Sequence, residues 1–396
     1  MNTLFNTRRM FPHKSIGGPT RIMRMQLEDS IREGSVIVPY LLYSRDLIFG
    51  DKLKAILHSI EDIKEPQRRM FSLAQELLPQ NLFEVCKSVR DSFVQERLVK
   101  KTNQKVLGEI EVIHNHSQIN PFFFQKVPTV LTIHTKGSYI NDMAGVLKDK
   151  SIIFDYYNSD REANTIAKSD VITFPSNSAF ELFLSQFKGI INSTKVQIVY
   201  NGIDIDFIDS VPSKKTYSRI RLICVASHVY QKQVDRILTV FSKLQVEDKY
   251  ELFLVGSGIL LEVHKQKAFD LGIANSVFFL SNVNNFEVIS LLKSADIFIL
   301  LAKDVVMDLA LLEAMASDLL VIVSNDGGNR EVIENGVDGF LISRFEDDNV
   351  IDIIKDYSSN PNKYEDQKKN ARRKIVNQFT VTAMMASYRD IYAQLL

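Results

Sequence analysis

The sequence predicts an α/β protein made of two doubly wound domains, each with its own parallel sheet. Three observations carry that prediction. From about residue 105, short β-branched or apolar runs alternate with longer helical patterns, which is how βαβ units on a parallel sheet read. Ten such runs occur, more than one ordinary sheet holds. The 396 residues are also enough for two or three buried cores.

Taken in order, the first strand falls near Thr3 to Phe5, although it is barely apolar. A loop follows at Ser15 to Pro19, then an amphipathic helix over Arg21 to Arg32 that turns Ile22, Met25 and Leu27 inward, then a strand at Ser35 to Leu42. Residues 51–105 read as charged helix. Its last part carries Lys87, Arg90, Arg97, Lys100, Lys101 and Lys105, a basic pattern that suits either an acidic lipid surface or a solvated helix face. The ten runs then begin at Glu111, Thr129, Asp170, Lys195, Leu222, Glu251, Val277, Asp296, Leu320 and Gly339. Asn201-Gly-Ile-Asp204 and the polar stretch Pro212 to Lys215 punctuate rather than continue a sheet, so they mark the joint. The first domain is therefore 1–200 and the second begins at 201.

Lys plus Arg and Asp plus Glu both number 48, so the formal charge is zero. A general nucleic-acid binder needs excess cationic surface, which excludes that class. Residues 1–200 carry 26 Lys and Arg against 21 Asp and Glu, and residues 201–396 carry 22 against 27, so neutrality sums two modestly opposed halves. With 45% hydrophobic residues the chain is not of the disordered class. Cys86 and Cys224 have no CxxC partner, so neither a disulfide framework nor a zinc cluster is expected, and a cytoplasmic setting fits. The first ten residues hold no apolar stretch of signal-peptide length, and the longest apolar runs are strand-sized.

The most informative helix is Leu309-Ala-Leu-Leu-Glu-Ala-Met-Ala316, which sets one carboxylate, Glu313, among apolar residues. A carboxylate buried there needs a partner, and a ribose diol would suit it, since two hydroxyls donate to one carboxylate; the alternative is a helix-edge Glu that reaches water. Gly17-Gly18 precedes a helix, where glycines let backbone amides approach phosphate oxygens. His134 ends a strand, where a neutral imidazole hydrogen-bonds a hydroxyl and a charged one steadies an anion, or where it is simply half exposed. His114 and His116 share one strand face, which invites a metal; with no Cys, His or acidic triad nearby, none is expected.

Asp296-Ile-Phe-Ile-Leu, Leu-Leu-Glu-Ala-Met-Ala316, Leu320-Val-Ile-Val-Ser-Asn-Asp-Gly-Gly-Asn-Arg-Glu331 and Asn335-Gly-Val-Asp-Gly-Phe-Leu341 resemble the donor-binding half of retaining GT-B glycosyltransferases of family four, the group that builds bacterial surface glycans. Ile198-Val-Tyr-Asn-Gly-Ile-Asp204 and Phe253-Leu-Val-Gly-Ser-Gly258 agree with it. The resemblance covers 110–345 well and 35–105 poorly. It implies two Rossmann-like domains facing across a cleft, the second at 201–378, and a terminal helix at about 379–396 that completes the first. It implies a UDP- or GDP-sugar co-substrate, no metal or other cofactor, and a glycan, lipid-linked or protein acceptor, with peripheral membrane contact through the first domain. Domain closure hinged near Asn201-Gly202 is expected.

By position, Lys232 matches the lysine on the donor diphosphate, and Glu313 the second glutamate of a Glu-(seven residues)-Glu motif, on the ribose. His134 matches a histidine on the donor sugar, Gly17-Gly18 matches the glycine loop of the first domain and, like Gly256, is expected to bind the donor, and Val283, after Asn282, lies in the loop whose backbone reads the base. Lys232, Glu313 and His134 form the expected catalytic set. Three positions depart from the pattern. Ser227 replaces the arginine beside the lysine, with His228 placed to compensate in part. The first glutamate of the motif falls on Val305, with Asp304 one residue away. Asp308 replaces the glycine ahead of the helix, where its carboxylate should cap the amides of Leu309 and Ala310 that would otherwise hold the diphosphate. These departures leave open a catalytically weak partner of a glycosyltransferase complex, and the shared architecture leaves open a sugar-nucleotide epimerase.

Overall fold

The computed structural model describes Thr3–Asn6, single positions between 21 and 29, and 111–116, 118, 126–135, 161–186, 195–212, 218–244, 249–281 and 283–396. Gly17 and Gly18, the strand at Ser35 to Leu42, the basic stretch from Lys87 to Lys105 and Asn282 lie outside the described residues. Of the helix expected over Arg21 to Arg32, positions 21, 22, 25, 26 and 29 are helical, with Ile22 buried and Met25 half-buried; Leu27 lies outside the described residues.

The chain forms two compact units. The first comprises Met1–Pro175, Phe180–Val199 and Ala386–Leu396. Its sheet has strands β1 (Thr3–Asn6), β2 (Val112–Asn115), β3 (Thr129–Thr132), β4 (Val171–Phe174) and β5 (Val196–Ile198), in that spatial order. All the pairs are parallel. Every residue of β2, β3 and β4 is buried, which is why these strands read as continuous runs rather than alternations. Helix α1 (Asn177–Gln186) follows β4 and packs Phe183 edge-on against Phe174, ring centroids 5.2 Å apart.

The second unit comprises Ser176–Ala179 and Tyr200–Met385. Ser176–Ala179 groups with it because this segment is held from there: Ser176 Oγ donates to Val306 O, and Glu331 accepts from the amides of Asn177 and Ser178. Its strands are β6 (Ile220–Val225), β7 (Tyr250–Val255), β8 (Val277–Leu280), β9 (Ile297–Leu300), β10 (Leu320–Ser324) and β11 (Phe340–Ile342). They are parallel and ordered β11-β10-β9-β6-β7-β8. All ten predicted runs are strands.

The helices of this unit are α2 (Ile205–Ser210), α3 (Val234–Leu244), α4 (Leu261–Asp270), α5 (Asn285–Lys293), α6 (Leu309–Ala316), α7 (Asn329–Val332), α8 (Asp347–Ser359) and α9 (Glu365–Gln378). Helix α3 buries Val234, Ile237, Leu238, Val240, Phe241 and Leu244, the three-and-four spacing of a helix laid on a sheet. The last helix, α10 (Val381–Leu395), begins in the second unit and ends in the first, where it buries Tyr388 and Tyr392.

This topology decides where a ligand can sit. From β6 the chain builds outward through β7 to β8, and from β9 it builds the other way through β10 to β11. The reversal lies between β6 and β9, and the loops leaving their carboxyl ends frame the crevice where open parallel sheets bind ligands.

Candidate functional site

The two loops at that crevice carry most of the predicted residues of this unit. After β6 the chain runs through Ala226 and Ser227 to a short 3-10 turn, Tyr230–Lys232, which ends at Gln233 in the left-handed region. The loop after β7 is fastened to it: Ala226 N donates to Val255 O and His228 N to Ser257 O, both at 2.9 Å. Gly256 makes this approach, since at its φ of +146° a Cβ would stand 2.1 Å from Ala226 O.

After β9, Lys303 N donates to Gln231 O at 2.8 Å, tying the second loop to the first. Asp304 has a left-handed backbone, φ +52°, and an exposed side chain, whereas Val305 is buried. Val305 N donates to Asp326 Oδ1, and its carbonyl accepts from Gly328 N. A Cβ on Gly327 would lie 1.8 Å from that carbonyl, so the Gly-Gly turn is the mould of this loop. Of the two positions weighed for the motif's first acid, only Asp304 puts a carboxylate at the surface.

Asp308 and Lys232 meet in an ion pair through Oδ1 and Nζ, with side chains 19% and 23% exposed. This corrects the expectation that the Asp308 carboxylate caps α6. Asp308 stands at the N-cap position with extended backbone, but its side chain takes no capping bond. A charged ammonium is a stronger donor than a neutral amide, and it has drawn the carboxylate away from Leu309 and Ala310. Asp308 Oδ2 is buried with no hydrogen-bond partner among the described residues. Glu313 lies 1% exposed on α6, where every residue but Ala310 is buried. Beneath the loops, burial pushes the Cys224 thiol up to about 12, against the opposing pull of Lys232, so it is no nucleophile.

His228 is a second correction. It does not supply the charge missing at the exposed Ser227, because it is 1% exposed and its Nδ1 shares a hydrogen bond with His264 Nδ1 at 2.8 Å. Burial, then the neighbouring His264, lowers it to about 4, so it is neutral at ordinary pH.

On the far side of β6, Val283 is half-buried in the loop after β8. It lines a depression of about 600 Å³ with the rings of Phe279 and Phe286. The ring centroid of Phe279 is 6.0 Å from that of His228, so this depression adjoins the loop that carries Lys232.

In the first unit, His134 follows β3 and is half-buried. Its Nε2 meets His116 Nδ1 at 2.9 Å, with the rings stacked at 16°. Burial lowers His134 to about 4, so it is present as the neutral imidazole, a hydrogen-bonding group rather than a cation. His114 and His116 do share a face, with rings 4.2 Å apart. The nitrogens of His114, however, are engaged by Tyr392 OH and Thr132 Oγ1, both at 2.6 Å, and no cluster of three metal-ligating side chains occurs among the described residues.

Two groups were missed. Glu331 accepts from the amides of Asn177 at 2.9 Å and Ser178 at 2.8 Å and from Tyr200 OH at 3.1 Å, capping α1 from a distant part of the chain. Burial alone would raise its carboxyl, but the Ser178 and Asn177 amides outweigh that and hold it low. In the first unit the fully buried Glu162 accepts from Gln118 at 2.9 Å, and Gln118 accepts from Thr135 beside His134. No local spacing signals either group.

Comparison with known proteins agrees with this architecture. Residues 208–374 match the family described as "Glycosyl transferases group 1", and residues 76–207 match "Glycosyltransferase Family 4". The chain is 30% identical over 243 residues to the N-acetyl-alpha-D-glucosaminyl L-malate synthase of Bacillus anthracis, a match covering 58% of the chain and 61% of that relative. It is 32% identical over 122 residues to the UDP-Gal:alpha-D-GlcNAc-diphosphoundecaprenol alpha-1,3-galactosyltransferase of Escherichia coli, covering 28% of each. The chain thus spans about three fifths or less of these curated relatives. Among solved structures, Anabaena Alr3699/HepE in complex with UDP-glucose superposes with a TM-score of 0.69 over the full length of both chains at 17% identity, a likeness that shows the GT-B fold.

Proposed function

The chain belongs to the group 1, family-four glycosyltransferases, and from that premise we propose a retaining enzyme that moves a sugar from a UDP- or GDP-sugar to a glycan, lipid-linked or protein-linked acceptor in surface polysaccharide or glycoconjugate synthesis. The observation that carries the reading is the meeting, at the switch point, of Lys232 with Asp308 at the start of α6, the helix that also carries the buried carboxylate of Glu313. A cation and helix amides suit a diphosphate whose charge grows as the sugar bond breaks, and Glu313 suits the ribose hydroxyls. The similarity to an N-acetyl-alpha-D-glucosaminyl L-malate synthase and to a UDP-Gal-dependent galactosyltransferase supports a nucleotide-sugar substrate.

In this reading the bond from the sugar's anomeric carbon to the diphosphate oxygen breaks as the acceptor oxygen bonds the same face. The departing phosphate oxygen takes the acceptor's proton, so no catalytic carboxylate pair is called for. Lys232 offsets the growing charge, Glu313 orients the nucleoside, and neutral His134 hydrogen-bonds the sugar. The reading calls for no resident metal and places the enzyme in the cytoplasm, with peripheral membrane contact through its first domain. No helix among the described residues is long and apolar enough to cross a membrane.

The test is a panel of UDP- and GDP-sugars with cell-envelope acceptors, reading nucleoside diphosphate release with and without EDTA and the anomeric configuration of the product by NMR. Acceptor-dependent release with the donor's configuration kept is the expected result. Interconversion of nucleotide-sugars without acceptor would make the protein an epimerase, and failure of every donor to bind would make it a non-catalytic partner.

A further inference from the structure

We infer that His264, which belongs to neither crevice loop, is a positioning residue for the donor diphosphate: through His228, its ring holds the turn that carries Lys232. The inference rests on the donor reading above.

The turn Tyr230–Lys232 buries none of its own residues, and Tyr230 is 68% exposed. Packing does not fix such a turn, so the residues on either side of it must. On one side Lys303 N donates to Gln231 O, and Val234 is buried at the start of α3. On the other stands the buried His228, and from there the turn closes at once, with Lys232 N donating to Val229 O at 3.1 Å.

His228 is held at three points. Its amide donates to Ser257 O and its carbonyl accepts from Leu260 N at 3.0 Å. A Cβ on Gly258 would stand 2.5 Å from that carbonyl, so glycine is what admits the approach. The third point is the side chain, whose Nδ1 meets Nδ1 of His264 at 2.8 Å. His264 is itself buried in the first turn of α4, where its amide donates to Leu260 O at 2.9 Å. Burial lowers both rings, helped at His228 by His264 and Lys265; at His264, Asp235 on α3 pulls the other way and Lys267 adds to the lowering. Both are neutral, so one Nδ1 donates and the other accepts. Without the His264 nitrogen, Nδ1 of His228 is buried and unmet, and the loop gains by opening toward water. Lys232 moves with it.

Isothermal titration of the full chain with UDP and with GDP tests this. For whichever nucleotide binds, His264→Phe, which keeps a ring and removes its nitrogens, should weaken affinity about fivefold, the cost of a turn in place about one-fifth of the time. His264→Asn, whose amide falls where Nδ1 stood, should stay within about twofold of wild type because the hydrogen bond is kept. In a Lys232→Met background His264→Phe should cost nothing further, since its effect runs through that lysine. Should His264→Phe not fold, His264→Gln, whose amide falls at Nε2 instead, takes its place in the same comparison. Unchanged affinity, or an equal loss with and without Lys232, would overturn the inference and leave the donor reading standing. A loss that His264→Asn does not rescue would overturn the role given to the hydrogen bond. Failure of both nucleotides to bind, or binding untouched by Lys232→Met, would overturn the donor reading, and the positioning role with it.

Discussion

Asp308→Asn removes one negative charge from the crevice mouth while leaving an oxygen for Lys232 to donate to. Lys232 and Asp308 are each about one-fifth exposed. An effective dielectric between the ~20 of a near-surface pair and the ~80 of water applies, and at about 40 a unit charge ~5 Å from one phosphate charge costs about 1.7 kcal/mol. That converts to a fifteen- to twentyfold change in affinity at about 1.4 kcal/mol per tenfold. The fold loses little by comparison, since a partly exposed pair contributes on the order of 1 kcal/mol or less. Titrating UDP into wild type and Asp308→Asn at low salt should therefore show the variant binding more than tenfold tighter with nearly the same melting temperature. The gain should shrink as ionic strength rises, because salt screens an exposed charge. Equal or weaker binding by the variant would refute the reasoning: Asp308 would then hold Lys232 in its working position rather than compete with the donor for it.

Three other outcomes follow from the same geometry. Glu313→Gln keeps the side chain's shape but removes its charge, and should weaken UDP by about tenfold, the scale of about 1.5 kcal/mol for a hydrogen bond to a charged group, while pyrophosphate binding stays put; calorimetry with both ligands separates the two. Burial, then His134, lowers His114 to about 3 from an ordinary value of 6.5, so the unfolded chain takes up a proton that the folded one refuses. The His114 share of stability is complete above pH 6.5 and falls as pH drops toward 3, by about 2 kcal/mol at pH 5 at about 1.36 kcal/mol per unit; the buried His134 and His228 add losses of the same sign, so urea unfolding at pH 7.5 and 5 should show a larger total loss in wild type, reduced by about that share in His114→Asn. Glu331→Gln leaves one oxygen to accept where two amides donate, and should lower stability by about 1–2 kcal/mol in urea unfolding.

The sheets were legible because parallel strands are buried on both faces, so Val171–Phe174 or Leu320–Ser324 announce themselves as unbroken apolar runs. The crevice was legible for a related reason: Glu313 is conspicuous among apolar neighbours whatever its role. What the chain does not disclose is which distant groups find each other. Lys232 and Asp308 are 76 residues apart, and Asn177 and Glu331 are 154 apart. The capping preference of Asp308 was a sound local inference, overridden by a stronger donor that only tertiary structure brings near. His228 was misjudged likewise, since nothing around it in sequence announces His264 or the burial that makes both neutral.

Helix α10 has a consequence for the order in which the protein is made. Tyr388 and Tyr392 are among the largest fully buried side chains, and they close the first unit through His114, Thr132 and Thr173. The second unit has all of its residues once synthesis reaches Met385, whereas the first, whose strand β1 comes earliest, still lacks Ala386–Leu396. The part synthesised first is thus the part completed last. Until Ala386–Leu396 emerge, its histidine and threonine network lacks Tyr388 and Tyr392. A chain that stops at Met385 would hold every residue of the second unit and none of the Ala386–Leu396 segment that buries Tyr388 and Tyr392 in the first.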